Sequence, residues 1–229
     1  MIDWERIWRG SGVVAIVLLI IGSVIYGYSN QPKLGASDAK LVSFFAGDRT
    51  RILIATVFFC LAFLNQLWFG AALASVLRDA GKGGWGAAAI ASSAAMAALL
   101  FVLMLLHATL AFSIAGAGAP QVTSAFSDLG WVLGVILAFP AAMFVMSGAF
   151  GLWRAGIISK RFFSVGVVAV VLVLLGGTTW ASNGFWAPDG AYSSIASFVA
   201  FVWIAVLSGF LVMRYSASRE PERAAVPAA

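Results

Sequence analysis

The chain has 229 residues, of which 62% are hydrophobic and only 10% are charged, and its mean hydropathy is +0.99. Because soluble domains average roughly 25% charged residues, this composition excludes a water-soluble globular protein and predicts one membrane-embedded bundle. Fourteen Lys and Arg against nine Asp and Glu give a net charge of +5, but these cations lie at the ends of apolar runs. That distribution is typical of membrane topology and argues against a nucleic-acid partner.

Charge-free runs, taken in chain order, define the predicted helices. Since a helix rises about 1.5 Å per residue and the hydrocarbon core is about 30 Å thick, about 20 apolar residues span it. The runs predict helices near residues 11–28, 52–77, 86–113, 130–153, 162–182 and 194–213. The longest run holds only one of them, because the Gly, Pro and hydroxyl residues at 115–124 are typical of a loop.

The predicted fold class is therefore all-α: a polytopic transmembrane bundle of six helices joined by short loops. This bundle forms a single domain over residues 1–215. Residues 216–229 are polar and are predicted to form a disordered cytoplasmic tail. The first run is too long for a secretory signal and lacks a small-residue cleavage site, so it is expected to remain as the first helix.

A short amphipathic helix is predicted on the outer side of the membrane, between the first two spans. Residues 37–45 begin with a Ser-Asp N-cap, and the pattern turns Leu41, Val42, Phe44 and Phe45 toward the membrane. This helix either packs on the outer rim of the bundle or forms a lid over a pocket.

The distribution of Lys and Arg predicts the orientation of the bundle. An N-terminus in the cytoplasm leaves only Lys33, Lys40, Arg49 and Arg51 outside. The cations on the cytoplasmic side are then Arg6, Arg9, Arg78, Lys82, Arg154, Lys160, Arg161, Arg214, Arg219 and Arg223. By the positive-inside rule both termini are cytoplasmic, and we expect a multi-pass protein of a bacterial plasma membrane.

The candidate site residues are polar side chains inside the predicted spans, because burying a polar group in the hydrocarbon core costs free energy and such residues are usually functional. Asn65 lies near the centre of the second span and needs partners there, either on a neighbouring helix or on a ligand. His107 lies further out and is expected near an outward-opening pocket. Asp128 is expected to begin the fourth span, either stabilising its N-terminus or gating a cation path. The remaining path or ligand candidates are Gln66 and Ser147.

The residue inventory argues against an enzyme. The chain has one His and one Cys, Cys60, too few for bis-His haem ligation or for a zinc site. It contains neither a nucleophile elbow nor a phosphate-binding loop. We therefore expect no catalytic residues, no metal and no cofactor.

Small residues at four-residue spacing predict close helix packing. They are Ala87, Ala91 and Ala95 in the third span, Gly130 and Gly134 in the fourth, and Ser147 and Gly151 further along the fourth. These faces pack inside the bundle or support a homo-oligomer. Pro140 is expected to kink the fourth span.

Three stretches resemble a family of uncharacterised six-helix membrane proteins common in actinobacteria, catalogued as a domain of unknown function. They are residues 37–52 entering the second helix, the Leu-Trp-Phe-Gly motif at 67–70, and the turn Leu-Trp-Arg-Ala-Gly-Ile-Ile-Ser-Lys-Arg-Phe-Phe at 152–163. The resemblance covers about residues 10–213. It implies the six-helix fold and no activity, since no catalytic residues come with it.

Two functional hypotheses remain from different classes. The first is a non-enzymatic module in the lipid bilayer that binds a lipophilic ligand or a partner membrane protein. The second is a small-solute permease or channel with a thin polar path built from Asn65, Gln66, His107 and Ser147. Convergence of those four side chains on one water-accessible cavity would favour the permease.

Overall fold

The computed structural model describes the backbone of residues 3–224 and the side chains of residues 3–217. All regular structure in this part of the chain is helical, which confirms the all-α class. Seven α-helices follow one another: α1 (Trp4–Tyr26), α2 (Asp38–Gly47), α3 (Arg49–Asp79), α4 (Gly83–Thr109), α5 (Pro120–Arg154), α6 (Lys160–Gly176) and α7 (Ala191–Ala224).

Five of these helices are long and apolar enough to cross a membrane: α1, α3, α4, α5 and α7. The expected fifth span, 162–182, is shorter than predicted, because α6 has 17 residues and ends at Gly176. The chain turns there at consecutive glycines. The hydroxyls of Thr178 and Thr179 then donate to the carbonyls of Leu175 and Gly176, at 2.7 and 2.8 Å, and so satisfy carbonyl groups that the helix end leaves without partners.

Six helices form a ring in which each runs antiparallel to its neighbours, in the order α1, α3, α4, α5, α6, α7. The ring closes because α7 packs against α1. At that closure Gly12 lies so close to α7 that an added Cβ would be 2.8 Å from the Cβ of Ser208. Ser208 also donates its hydroxyl to the carbonyl of Arg9 at 2.6 Å.

The two ends of the ring differ in their connections. Residues 80–82 and 155–159 make tight turns at one end, here called the short-loop end. The longer connections, 27–37, 110–119 and 177–190, lie at the other end, the long-loop end.

The small-residue stripe of α4 faces outward, so the expectation that it packs inside the bundle is wrong, and its role in a homo-oligomer stays a prediction. Ala87, Ala91 and Ala95 are exposed. The face that packs on α3 carries Gly86 and Ser93 instead, and a Cβ added to Gly86 would lie 2.9 Å from a backbone carbonyl of α3. Alanine occurs on every side of this helix, so its spacing alone cannot identify the packed face.

The link between α4 and α5 is more helical than expected. A π-helical turn (Leu110–Ile114) and a 3₁₀ turn (Ala115–Ala117) follow α4, and α5 starts at Pro120, whose fixed φ suits a first helical position. Asp128 therefore lies in the third turn of α5 and not at a helix N-terminus, which corrects the role expected for it.

The segment between α1 and α3 packs into the bundle. In α2, Leu41, Phe44 and Phe45 are buried among side chains of α1, α3 and α4, whereas they were expected to face the membrane. At the other end of the chain α7 continues to Ala224. Residues 216–224, expected to be disordered, are helical because they extend a packed helix and no new nucleation is required. Residues 225–229 of the predicted tail lie outside the described residues.

Candidate functional site

The ring encloses a cavity of about 350 Å³ in its long-loop half. Helices α1, α3, α4, α5 and α7 all contribute to its wall, together with the connections that follow α1 and precede α7. Among its lining residues are Tyr26, Gln31, His107, Gly130, Trp131, Gly134, Ser193, Ser194, Ser197, Phe198 and Phe201. Its volume lies in the range of small-molecule sites, about 300–1,000 Å³.

His107 and Tyr26 form a pair at one pole of this cavity. His107 is buried on α4, and its Nδ1 lies 3.4 Å from the hydroxyl of Tyr26 on α1. The two rings are stacked, with centroids 5.6 Å apart and an interplanar angle of 19°. A tyrosine hydroxyl that donates to Nδ1 leaves the ring proton on Nε2. The second nitrogen of His107 is then a hydrogen-bond donor at the cavity wall.

Gly130 on α5 makes room for this imidazole. A Cβ added there would lie 3.1 Å from Nε2 of His107 and 3.4 Å from a methyl group of Leu103. By contrast, a Cβ added to Gly134, one turn further along, would meet nothing within 4 Å because that position faces open cavity. The two glycines thus have different roles: Gly130 seats the histidine, and Gly134 leaves space.

Two further polar side chains at the cavity lack partners. Neither Oε1 of Gln31 nor Nε1 of Trp131 has a hydrogen-bond partner among the described residues, although both atoms are buried. A buried polar atom left unpaired costs about 1–3 kcal/mol. The cavity therefore carries an unsatisfied acceptor and an unsatisfied donor, and a molecule with complementary groups would recover this cost.

The serines at the start of α7 complete the polar lining. Ser193, Ser194 and Ser197 lie at the cavity. The hydroxyls of Ser194 and Ser197 donate to the carbonyls of Gly190 and Ser193, one turn earlier in the chain, at 3.5 and 3.0 Å. Among the residues that line the cavity, none is Asp, Glu, Lys or Arg. The lining is thus without a charged side chain, since a His107 ring that accepts at Nδ1 and keeps one proton on Nε2 is neutral.

The cavity is closed toward the short-loop end. It narrows into a small extension of about 40 Å³ between α5, α6 and α7. Beyond that extension the interior is filled by a close-packed cluster whose largest members are fully buried: Phe69, Leu73, Leu77, Phe144, Leu152 and Leu207. The cavity therefore ends blindly within the bundle.

A groove of about 670 Å³ adjoins the cavity on the outer surface, between α1 and α7. Five residues line both spaces: Leu19, Ser23, Tyr28, Phe198 and Phe201. Apart from Ser29 the rest of the groove is apolar, with Ile16 and Ile20 on one wall and Val202, Ala205 and Val206 on the other.

Of the five candidate site residues named from the sequence, only His107 lines the cavity. Asn65 is half-buried and donates to the carbonyl of Leu61 in its own helix at 2.9 Å, and Ser147 bonds its own helix in the same way at 2.8 Å. Gln66 is buried with no partner for its amide among the described residues. Asp128 is half-buried and is not part of the wall.

Several residues of the site were not anticipated from the sequence. Tyr26 and Gln31 flank the end of α1, and Trp131 is one residue beyond Gly130. The serines at 193, 194 and 197 do carry a recognisable pattern, because positions i, i+1 and i+4 share one face of a helix. An aromatic side chain at a helix end is, in contrast, more often a membrane-interface residue.

Comparison with known proteins gives no assignment for this arrangement. No family model, no curated protein and no solved structure matches the chain. Within the described residues, no three His, Cys, Asp or Glu side chains are close enough together to hold a metal ion. The chain has several long apolar helices, as integral membrane proteins do, and its site has to be interpreted from its own chemistry.

Proposed function

We propose that this chain is a six-span integral protein of a bacterial cell membrane that binds a lipophilic ligand in its internal cavity and catalyses no reaction. The observation that carries the proposal is a mostly apolar cavity that ends blindly toward the short-loop end and is lined by a few polar side chains. An apolar wall with a few polar groups is the usual composition of a small-molecule site. The unpaired atoms of Gln31 and Trp131 support a ligand that carries polar groups.

The six-span topology rests on α6 as well as on the five longer helices. Seventeen residues are at the lower limit of transmembrane helices and measure about 26 Å. Antiparallel packing of α6 between α5 and α7 supports a sixth span, and the Lys and Arg distribution supports cytoplasmic termini. On this topology α2 lies on the outer side, with its apolar face on the bundle and Lys40 and Ser43 on its exposed face.

A permease is less well supported. Its path was expected to use Asn65, Gln66, His107 and Ser147, and only His107 lies at the cavity. Two of the others satisfy their polar groups within their own helices. The packed cluster beneath the cavity also favours binding over conduction. A partner membrane protein would need an exterior face, whereas the unsatisfied polar atoms described above are inside.

The test is to purify the protein in mild detergent and identify retained molecules by native mass spectrometry. We expect about one apolar molecule per chain. Gly134→Trp should abolish this retention because the indole fills the cavity, and Ala94→Trp on the exposed face of α4 should preserve it. Wild-type protein without any retained molecule, or Gly134→Trp protein with an unchanged one, would overturn the proposal.

A further inference from the structure

The groove between α1 and α7 is an opening on the outer surface of the ring of helices, in its long-loop half. Near the short-loop end the two helices are joined by Gly12, Ser208 and the hydrogen bond from Ser208 to Arg9. From Ile16 toward the long-loop end they line an open groove instead. Its rim side chains are exposed: Ile20 is 58% and Val202 is 42% accessible.

The groove runs along the sides of α1 and α7, from Ile16 to the connection at Tyr28 and Ser29. In a membrane, the space outside α1 and α7 at this depth is occupied by lipid chains. The apolar walls of the groove suit contact with lipid chains. Leu19, Ser23 and Phe198 line both the groove and the cavity, so these side chains form a wall that the two spaces share.

From this shared wall we propose, resting on the proposed ligand-binding function, that the ligand is a neutral single-chain amphiphile that enters from the bilayer between α1 and α7. Its headgroup contacts His107, Gln31 and Trp131, here called the polar pole, and its chain passes between the side chains of Leu19, Ser23 and Phe198 into the groove. The groove and the cavity together then hold one molecule, with its polar end innermost.

The polar pole defines the chemistry of the headgroup. Gln31 offers an acceptor oxygen and Trp131 a donor nitrogen, both unpaired. The headgroup therefore has at least one hydroxyl or amide hydrogen and at least one acceptor oxygen. Since the cavity wall contains no Asp, Glu, Lys or Arg, an ionised headgroup would be buried without a counter-charge, which is strongly unfavourable. Hydroxylated or amide-bearing lipids fit, whereas fatty acids and phospholipids do not.

The experiment uses radiolabelled 1-oleoylglycerol as the neutral probe and oleate at pH 9 as its charged counterpart. Purified protein should bind about one 1-oleoylglycerol per chain and should bind oleate at least ten-fold more weakly. Gln31→Leu should weaken 1-oleoylglycerol binding about five- to ten-fold, because the headgroup hydroxyl loses its acceptor.

The route is tested in vesicles by following release of bound 1-oleoylglycerol to acceptor vesicles. A bulky side chain in the groove, Ala205→Trp or, if that variant does not fold, Val206→Trp, should slow release at least ten-fold. Ala98→Trp, on the exposed face of α4 away from the groove, should leave the release rate unchanged.

The possible failures are distinguishable. Unchanged release from the groove variants would overturn lateral access while leaving the binding function intact. Equal or tighter binding of oleate would overturn the neutral headgroup. If neither probe binds but another apolar molecule is retained in the cavity, the proposed lipid class is wrong and the proposed binding function is supported. If wild-type protein retains no molecule, both the proposed binding function and the proposed lipid class are wrong.

Discussion

Replacing Gly70 with alanine should destabilise the bundle at the contact between α3 and α4. A Cβ at Gly70 would lie 2.5 Å from Oγ and 2.6 Å from Cβ of Ser93, where ordinary contact begins at 3.4 Å. Ser93 would therefore have to retreat by almost 1 Å. Its hydroxyl donates to the carbonyl of Gln66 at 3.1 Å, and that hydrogen bond would lengthen or break.

The expected change in the free energy of unfolding has three contributions, of which two lower it and one raises it. Overpacking of a close contact costs typically 1–3 kcal/mol, and a lost hydrogen bond costs about 0.5–1.5 kcal/mol. Alanine gains about 1 kcal/mol over glycine inside a helix. The free energy of unfolding of Gly70→Ala should thus fall by about 1–3 kcal/mol, in spite of the better helix former.

Equilibrium unfolding in SDS–detergent mixed micelles, followed by circular dichroism, measures this difference. Ala91→Leu is the matched control, because it adds a larger side chain on the exposed face of the same pair of helices and should stay within about 0.5 kcal/mol of wild type. Ser93→Gly should restore much of the stability when combined with Gly70→Ala. A Gly70→Ala variant as stable as wild type, or a loss of more than 1 kcal/mol in Ala91→Leu, would refute this account of the interface.

Three further outcomes test other parts of the structure. Gly130→Ala should displace the adjacent imidazole and lower ligand retention several-fold in native mass spectrometry. Gly134→Ala should leave retention unchanged, because a Cβ there meets nothing within 4 Å. Equal effects of the two substitutions would contradict the separate roles of the two glycines. Ser208→Ala should lower the free energy of unfolding by about 1 kcal/mol in the same SDS titration, and a neutral result would show that the α1–α7 hydrogen bond adds nothing. In a cysteine-free background, a membrane-impermeant maleimide added outside should label Asn183→Cys but not Asp79→Cys; the reverse pattern would invert the topology.

The helical elements were largely predictable because charges interrupt the apolar runs at the helix ends. The runs around residues 52–77 and 130–153 fall within α3 and α5. The end of α6 was not predicted, since the charge-free run continues to residue 188 and the helix ends at the glycine pair and threonine hydroxyls.

Which side of each helix faces inward was harder to predict. In a soluble protein the polar face marks the outside, but in lipid the outer face is as apolar as the core. Ala91 and Ser93 differ in burial although both belong to one run of small residues. Asn65 illustrates the same difficulty, because its amide is satisfied within its own helix and needs no interior partner.

The candidate site was predictable only through His107. Its partner Tyr26 lies 81 residues earlier in the chain, and Gln31 and Trp131 belong to two other segments. No local pattern connects these positions. They come together only because α1, α4 and α5 are brought around one cavity by the closure of the ring.

That closure also sets an order of events during synthesis. Val13 on α1 donates its amide to Ser208 on α7, 195 residues later. At about 5–20 residues per second a ribosome needs roughly 10–40 s to cover that interval. Throughout it, the surface of α1 around Gly12 has no α7 to cover it, and one wall of the cavity does not yet exist. The cavity is therefore the last part of the molecule to be assembled, and a nascent chain stalled before α7 would lack both the enclosed cavity and the α7 residues of the core, among them Ile204, Leu207 and Leu211.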